Sequence, residues 1–188
     1  MYSPFTYLLR TRCHLRSISM ATRGLVCFAL CIPLVLLGCA STERAAAIPY
    51  QVELLADANV NPDIKNRPSP IVIRVFELRA DAAFEASSFF SLQDKPEQVL
   101  GQEMIATDRI IMRPGEKKLF NRPGSVDARS IGLIAEYRDL EANRWRKVIP
   151  LPPPKQLNLY KFWQTSPDQL KVRVAIKNGG IDLLPVAK

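Results

Sequence analysis

The chain has 188 residues, with 26 Lys and Arg against 18 Asp and Glu, a formal net charge of +8, one histidine and four cysteines. Much of the excess sits at the front: Arg10, Arg12, Arg16 and Arg23 precede an apolar run from Leu25 to Leu37, and no acidic residue occurs before Glu43. Setting those four aside leaves 26 − 4 = 22 cations against 18 anions, or +4, which excludes a nucleic-acid-binding charge density.

A basic stretch followed by an apolar one is the pattern of a processed leader. The run is about a dozen residues long and contains Pro33, short of the roughly 20 residues that span a bilayer, which disfavours a retained transmembrane helix. It ends in Leu36-Leu37-Gly38-Cys39, a lipobox. A bulky apolar residue stands three before the cysteine, and small or apolar residues lie between. The thiol can be diacylglycerylated before a signal peptidase cuts between Gly38 and Cys39. Residues 1–38 are therefore the expected leader, residues 39–49 an acylated cysteine and tether, and residues 50–188 one folded domain. The remaining 188 − 38 = 150 residues leave no room for a second. Met20 opens a compact signal of its own, so the leader starts at Met1 or at Met20. An ordinary secretory signal with an incidental cysteine is the competing reading.

Cys13, Cys27, Cys31 and the sole histidine, His14, all belong to the leader. The mature domain then has no disulfide, no thiol nucleophile and no imidazole base, so the usual transition-metal ligands and catalytic dyads are missing. No catalytic residue, no metal and no cofactor beyond the lipid on Cys39 is expected. Ala40 stands where Asp retains many lipoproteins in the inner membrane, which points to the periplasmic face of the outer membrane.

After the cysteine, Ser41 to Ile48 reads as a tether with little to pack. Tyr50 to Ala56 alternates Tyr50, Val52 and Leu54 with Gln51 and Glu53, the period of a half-buried strand. Asp57 to Pro70 is turn chemistry throughout, a loop near the length at which loops in compact domains carry function. Ile71 to Leu78 is β-branched and apolar on both faces except for Arg74 and Glu77, as in a central strand. Ala80 to Leu100 breaks the rhythm, with Phe84, Ser88 and Leu92 on one helical stripe and Asp94 and Pro96 placed to open a second turn. Met104 to Met112, Lys117 to Phe120, Ile131 to Arg138 and Arg144 to Ile149 read as further strands. Arg113 to Glu116 and Asp139 to Asn143 connect them as turns.

Pro150, Pro152, Pro153 and Pro154 force an extended segment, and Leu157, Leu159, Tyr160, Phe162 and Trp163 after it call for burial or a partner. Leu170 to Lys177 alternates cleanly, and Asn178-Gly179-Gly180 turns into a last strand, Ile181 to Leu184. Seven or eight short strands with one helical insert predict an all-β sandwich.

In this order the lipobox, the loop ending Asn66-Arg67-Pro68-Ser69-Pro70, the strand Ile71 to Arg79, Phe89-Phe90-Ser91-Leu92, and Gly132 to Arg138 followed by Trp145 resemble TssJ, the lipoprotein family of type VI secretion systems. The resemblance runs from Cys39 almost to the C-terminus. It implies a transthyretin-like β-sandwich with a helical insertion and a non-enzymatic role. The loop between the first two strands would bind the periplasmic C-terminal region of TssM, and TssL would join indirectly through TssM. By position, that role falls on Asp57, Asn59, Val60, Asn61, Pro62, Asp63, Ile64, Lys65, Asn66, Arg67, Pro68 and Ser69. Neither nucleic acid nor a small-molecule substrate is implied.

Other readings compete at single sites. Asp57, Asn59, Asn61 and Asp63 are spaced like calcium ligands, but Pro62 and Pro68 replace the bend glycine and the bidentate Glu. Glu136, Asp139 and Glu141 form a weak acid-pair pattern that a solvated hairpin explains better. Arg144, Arg146, Lys147 and Lys155 are basic enough to touch headgroups or peptidoglycan, although strand surface charge is the commoner reason. Trp145, Phe162 and Trp163 read as core or edge-covering aromatics, with sugar stacking second. A non-enzymatic glycan- or peptidoglycan-binding lipoprotein is the alternative function.

Overall fold

Alternation decides the first central strand. Tyr50, Val52, Leu54 and Ala56 are buried and the residues between them half-buried along β2 (Tyr50–Ala56). The structure, a computed structural model, describes residues 43–158 and 169–185. The leader with Cys39, and Leu159, Tyr160, Phe162 and Trp163, lie outside the described residues. Before β2 comes β1 (Glu43–Ala46). After it come β3 (Ile71–Leu78), helices α1 (Ala82–Ala86), α2 (Phe89–Asp94) and α3 (Pro96–Leu100), and a 3-10 turn at Gly101–Glu103. The rest is β4 (Met104–Met112), β5 (Lys117–Arg122), β6 (Ser130–Ala135), β7 (Arg146–Pro150), β8 (Lys155–Asn158), β9 (Leu170–Lys177) and β10 (Gly180–Leu184).

Two four-stranded sheets, β10-β9-β2-β5 and β4-β3-β6-β7, form the sandwich. Strands β2 and β9 run parallel, with Val52 opposite Val172 and Leu54 opposite Val174; the other neighbours are antiparallel. Ile71, Ile73 and Val75 of β3 meet Val52, Leu54, Val174 and Ile176 in the core between the sheets. The other face of the second sheet is also buried. Phe76, Leu78 and Ile134 lie under Phe84, Phe89, Leu92 and Leu100 of the helical insert. That second layer is why all six residues of β6 are buried and why β3 is apolar on both faces.

The eight sandwich strands match the eight read from the sequence, and β3 is central as expected. Three local readings differ. Residues 43–46 are not a free tether: β1 pairs with β8, Ala46 opposite Lys155, as a separate two-stranded ribbon. The prolines at 152–154 leave the backbone extended and so deliver β8 in pairing geometry. The helical insert is three short helices rather than one with a second turn. Ser88 has extended backbone and its hydroxyl accepts from the Ser91 N–H, capping α2 and ending the stripe from Phe84. Asp94 is the last residue of α2, and Lys95 precedes Pro96 at the start of α3.

Candidate functional site

Register places the loop. Tyr50 opposes Arg122 and Leu170 at one end of the first sheet, while Ala56 opposes Ile176 at the other. The 57–70 loop leaves from that second end, where the connections after β4, β6 and β9 also lie. Cross-links among them confirm the arrangement. The Asp57 N–H donates to the Ile176 carbonyl (2.9 Å), the Ala56 N–H to Glu116 (2.9 Å) and the Gly115 N–H to Asp57 (3.2 Å).

Within the loop the side chains divide into two sets. Val60 is wholly buried and Asn61 is 5% exposed, so both belong to the domain rather than to its surface. The Asn61 amide is a brace: Nδ2 donates to the Pro70 carbonyl (2.9 Å) and Oδ1 accepts from the Arg138 backbone N–H (2.8 Å). The Ser69 N–H closes the loop's base onto the Val60 carbonyl (3.2 Å). Two asparagines take left-handed backbone, Asn61 at φ 50 and Asn66 at φ 58, a conformation that Asn tolerates better than most residues.

The tip is organised by Asp63. Its Oδ1 accepts from the Lys65 N–H (2.8 Å) and the Arg67 N–H (3.0 Å), and its Oδ2 from Arg67 Nε (2.8 Å). The Arg67 guanidinium, and then the backbone N–H groups, hold its carboxyl below the usual aspartate range. The Asp63 N–H to Arg67 carbonyl (2.9 Å) and Asn66 N–H to Asp63 carbonyl (2.8 Å) bonds tighten the same turn. On this braced knuckle Ile64 is 100% exposed. Asp57, Asn59, Lys65, Arg67 and Pro68 are also exposed, and Pro62 and Ser69 half-buried.

An open cleft of about 460 Å³ lies against the tip. One wall is Asn61, Pro62, Asp63, Ile64 and Asn66; the other is Arg138, Asp139, Ala142 and Asn143 from the β6–β7 connection, with Asn178 from the β9–β10 turn. The second wall is braced as well. Asp139 Oδ1 caps the Ala142 N–H (3.0 Å), Asn143 Nδ2 donates to the Asp139 carbonyl (2.6 Å), and Asn143 Oδ1 accepts from the Gly179 N–H (2.6 Å). Arg138, Asn143 and Asn178 did not stand out in the sequence, because their approach to the loop depends on register between distant strands.

The competing sites resolve into structure. Three of the four residues spaced like calcium ligands are engaged elsewhere: Asp57 Oδ1 accepts from the Ala58 N–H (2.8 Å), Asn61 Oδ1 accepts from the Arg138 N–H, and Asp63 bonds Arg67. Glu136 accepts from Arg74 Nε (3.0 Å) on the outer face of the second sheet. Trp145 packs edge-to-face on Phe89 at 5.3 Å and lies under the Arg146 guanidinium, half-buried rather than open as a stacking platform.

Residues 49–178 match the family described as type VI secretion lipoprotein, VasD, EvfM, TssJ. This chain belongs to the type VI secretion lipoprotein family. Among solved structures it is similar to Serratia marcescens Lip, a membrane-bound component of the type VI secretion system. The two are 37% identical at a TM-score of 0.67, over 76% of this chain and 99% of Lip. It is also similar to the type VI lipoprotein TssJ1 from Pseudomonas aeruginosa (25% identity, TM-score 0.66, 76% and 98% of the two chains). A chain in the structure of the TssM C-terminal domain from EAEC, 18% identical with a TM-score of 0.54, shares the fold over 73% of this lipoprotein and 98% of itself. No curated protein matches the sequence. The family is a structural lipoprotein of a membrane-associated secretion complex, and among the described residues no helix is long and apolar enough to cross a membrane.

Proposed function

We propose that this lipoprotein is the outer-membrane end of the type VI membrane complex. It is cleaved before Cys39, acylated there, and grips the periplasmic C-terminal region of TssM with the tip of the 57–69 loop; TssL is reached through TssM. Three acyl chains on a mature lipoprotein make a firm anchor, where one chain gives only marginal binding. The work is mechanical, and the domain needs no reaction to do it.

The observation that carries this reading is Ile64: a fully exposed β-branched side chain at the crest of the loop, between Asp63 and Lys65, whose backbone N–H groups are both hydrogen-bonded within the turn. A braced loop has little conformational freedom left to lose on docking. Burying one isoleucine is worth about 2 kcal/mol, roughly 30-fold in affinity. The test is Ile64→Asp in the full-length protein, purified in detergent and titrated against the TssM periplasmic domain. The expected result is a loss of roughly 30-fold or more with an unchanged melting temperature; undiminished binding overturns the reading. Replacing all of Asp57–Ser69 is a poorer experiment, since it also removes Val60 from the core.

A further inference from the structure

The cleft beside the loop holds groups that the fold itself leaves unused. Four of the seven polar side chains that line it are committed: Asn61 to Pro70 and Arg138, Asp63 to Arg67, Asp139 to Ala142 and Asn143 to Gly179. Against that background three exposed side chains make no hydrogen bond or ion pair among the described residues: Arg138 and Asn178 on the second wall and Asn66 on the first. Of the two carboxylates that line the cleft, Asp63 is matched by the Arg67 guanidinium and Asp139 caps its own turn. The Arg138 guanidinium feels Asp63 electrostatically without bonding it.

We propose that the partner is held between both walls, as a short extended segment lying in the cleft, and that Arg138 is a specificity-determining residue that pairs with a carboxylate on that segment. This rests on the reading of the loop as a protein-docking site and adds the second half of the site to it. The chemistry of the free groups defines the occupant. A primary amide has one acceptor and two donors, the complement of a peptide group, so Asn66 and Asn178 can hold main chain from opposite sides whatever its sequence. A guanidinium has donors only, in a planar fork that matches a carboxylate. Ile64 on the rim supplies the apolar contact. The walls need no rearrangement to receive the segment, because the Asn61 amide ties the first wall to the Arg138 backbone of the second, and Asn143 ties the β6–β7 connection to the β9–β10 turn. Backbone capture by the amides tolerates sequence, and the Arg138 pair with Ile64 discriminates.

Three variants of the full-length protein in detergent, titrated against the TssM periplasmic C-terminal domain, test this: Arg138→Glu, Asn178→Ala and, as the loop reference, Ile64→Asp, with Arg138→Lys as the conservative control. Arg138→Glu is expected to weaken binding by roughly tenfold or more. Arg138→Lys keeps part of the affinity, Asn178→Ala loses a few-fold, and reversal of one Asp or Glu of the partner to Arg restores binding to Arg138→Glu alone. Both positions are exposed on turns, so melting temperatures stay at the parent value. If Ile64→Asp weakens binding while Arg138→Glu and Asn178→Ala bind as the parent does, the second wall is not read and the inference falls with the loop reading intact. If none of the three weakens binding, the loop reading falls and takes this one with it. If Arg138→Glu weakens binding but no charge reversal rescues it, Arg138 does not meet a partner carboxylate and its assigned role is wrong.

Discussion

Glu77 is the residue least suited to its surroundings. It is 5% exposed between the sheets, its Oε2 accepts from the Tyr50 hydroxyl (3.2 Å), and its Oε1 has no partner among the described residues. Burial, and then the Glu77 charge, push the Tyr50 phenol well above the ordinary tyrosine range, so it remains a donor at any physiological pH. Removing that donor leaves a buried carboxyl with nothing to satisfy it. Tyr50→Phe is therefore expected to cost about 1–3 kcal/mol in urea unfolding, a large effect for the loss of one oxygen. Tyr50→Phe combined with Glu77→Leu should recover most of it, because replacing both partners by apolar groups removes the unmet demand. A Tyr50→Phe variant as stable as its parent would show that Glu77 finds another partner. Parity along β3 was legible: Glu77 falls in step with Ile71, Ile73 and Val75 and so faces inward. Its partner was not, because Tyr50 lies 27 residues earlier on a strand of the opposite sheet.

At the scale of elements, the strands were legible because alternation reports a buried face directly, and the sandwich followed from their number. In the helical insert the spacing of Phe84, Ser88 and Leu92 without Gly or Pro reads as one stripe, but the burial of Phe84 and Leu92 is met by two separate helices as well as by one. What seats the insert was invisible in sequence. The Arg146 guanidinium donates to the Phe84 and Ser87 carbonyls (2.9 and 3.0 Å) at the end of α1, satisfying acceptors a short helix cannot. Gly132 on β6 lets the Phe84 ring lie on the sheet: a Cβ there would stand 2.7 Å from the ring, and Phe84 itself is fully buried against Phe76 at 5.4 Å. The ring has nowhere to go. Gly132→Ala is expected to cost about 1–3 kcal/mol by overpacking. Adding Phe84→Leu should restore part of that loss, the coupling expected of residues in contact. Additive losses in the double variant would mean that the insert is not seated through this contact.

For the whole molecule, the proposed function requires the anchor on Cys39 and the docking loop to work at the same time. Cys39 stands 43 − 39 = 4 positions before β1, a reach of about 14 Å at full extension. The eight-residue tether of the sequence reading would have allowed far more. That shortening was illegible because Glu43–Ala46 has no apolar pattern of its own and is a strand only by pairing with β8. From β1 the chain enters β2 at Tyr50 and, about 20 Å later by strand rise, leaves it at Ala56 into the loop. The chain joins β2 at Tyr50, at the end of the first sheet opposite the one from which the loop leaves; with the anchor proposed on Cys39, the expectation is that a bilayer leaves Ile64 and the cleft open. Two measurements follow. The acylated protein on vesicles should bind the TssM periplasmic domain within about threefold of its affinity in detergent, since less than ~0.7 kcal/mol separates the two settings when the site is unobstructed. Cys39→Ser should keep that solution affinity in full while no longer floating with the vesicles. A site occluded by the bilayer would bind much more weakly on vesicles than in detergent, and vesicle binding by Cys39→Ser would place the anchor somewhere other than Cys39; either result breaks the two-ended arrangement at an identifiable end.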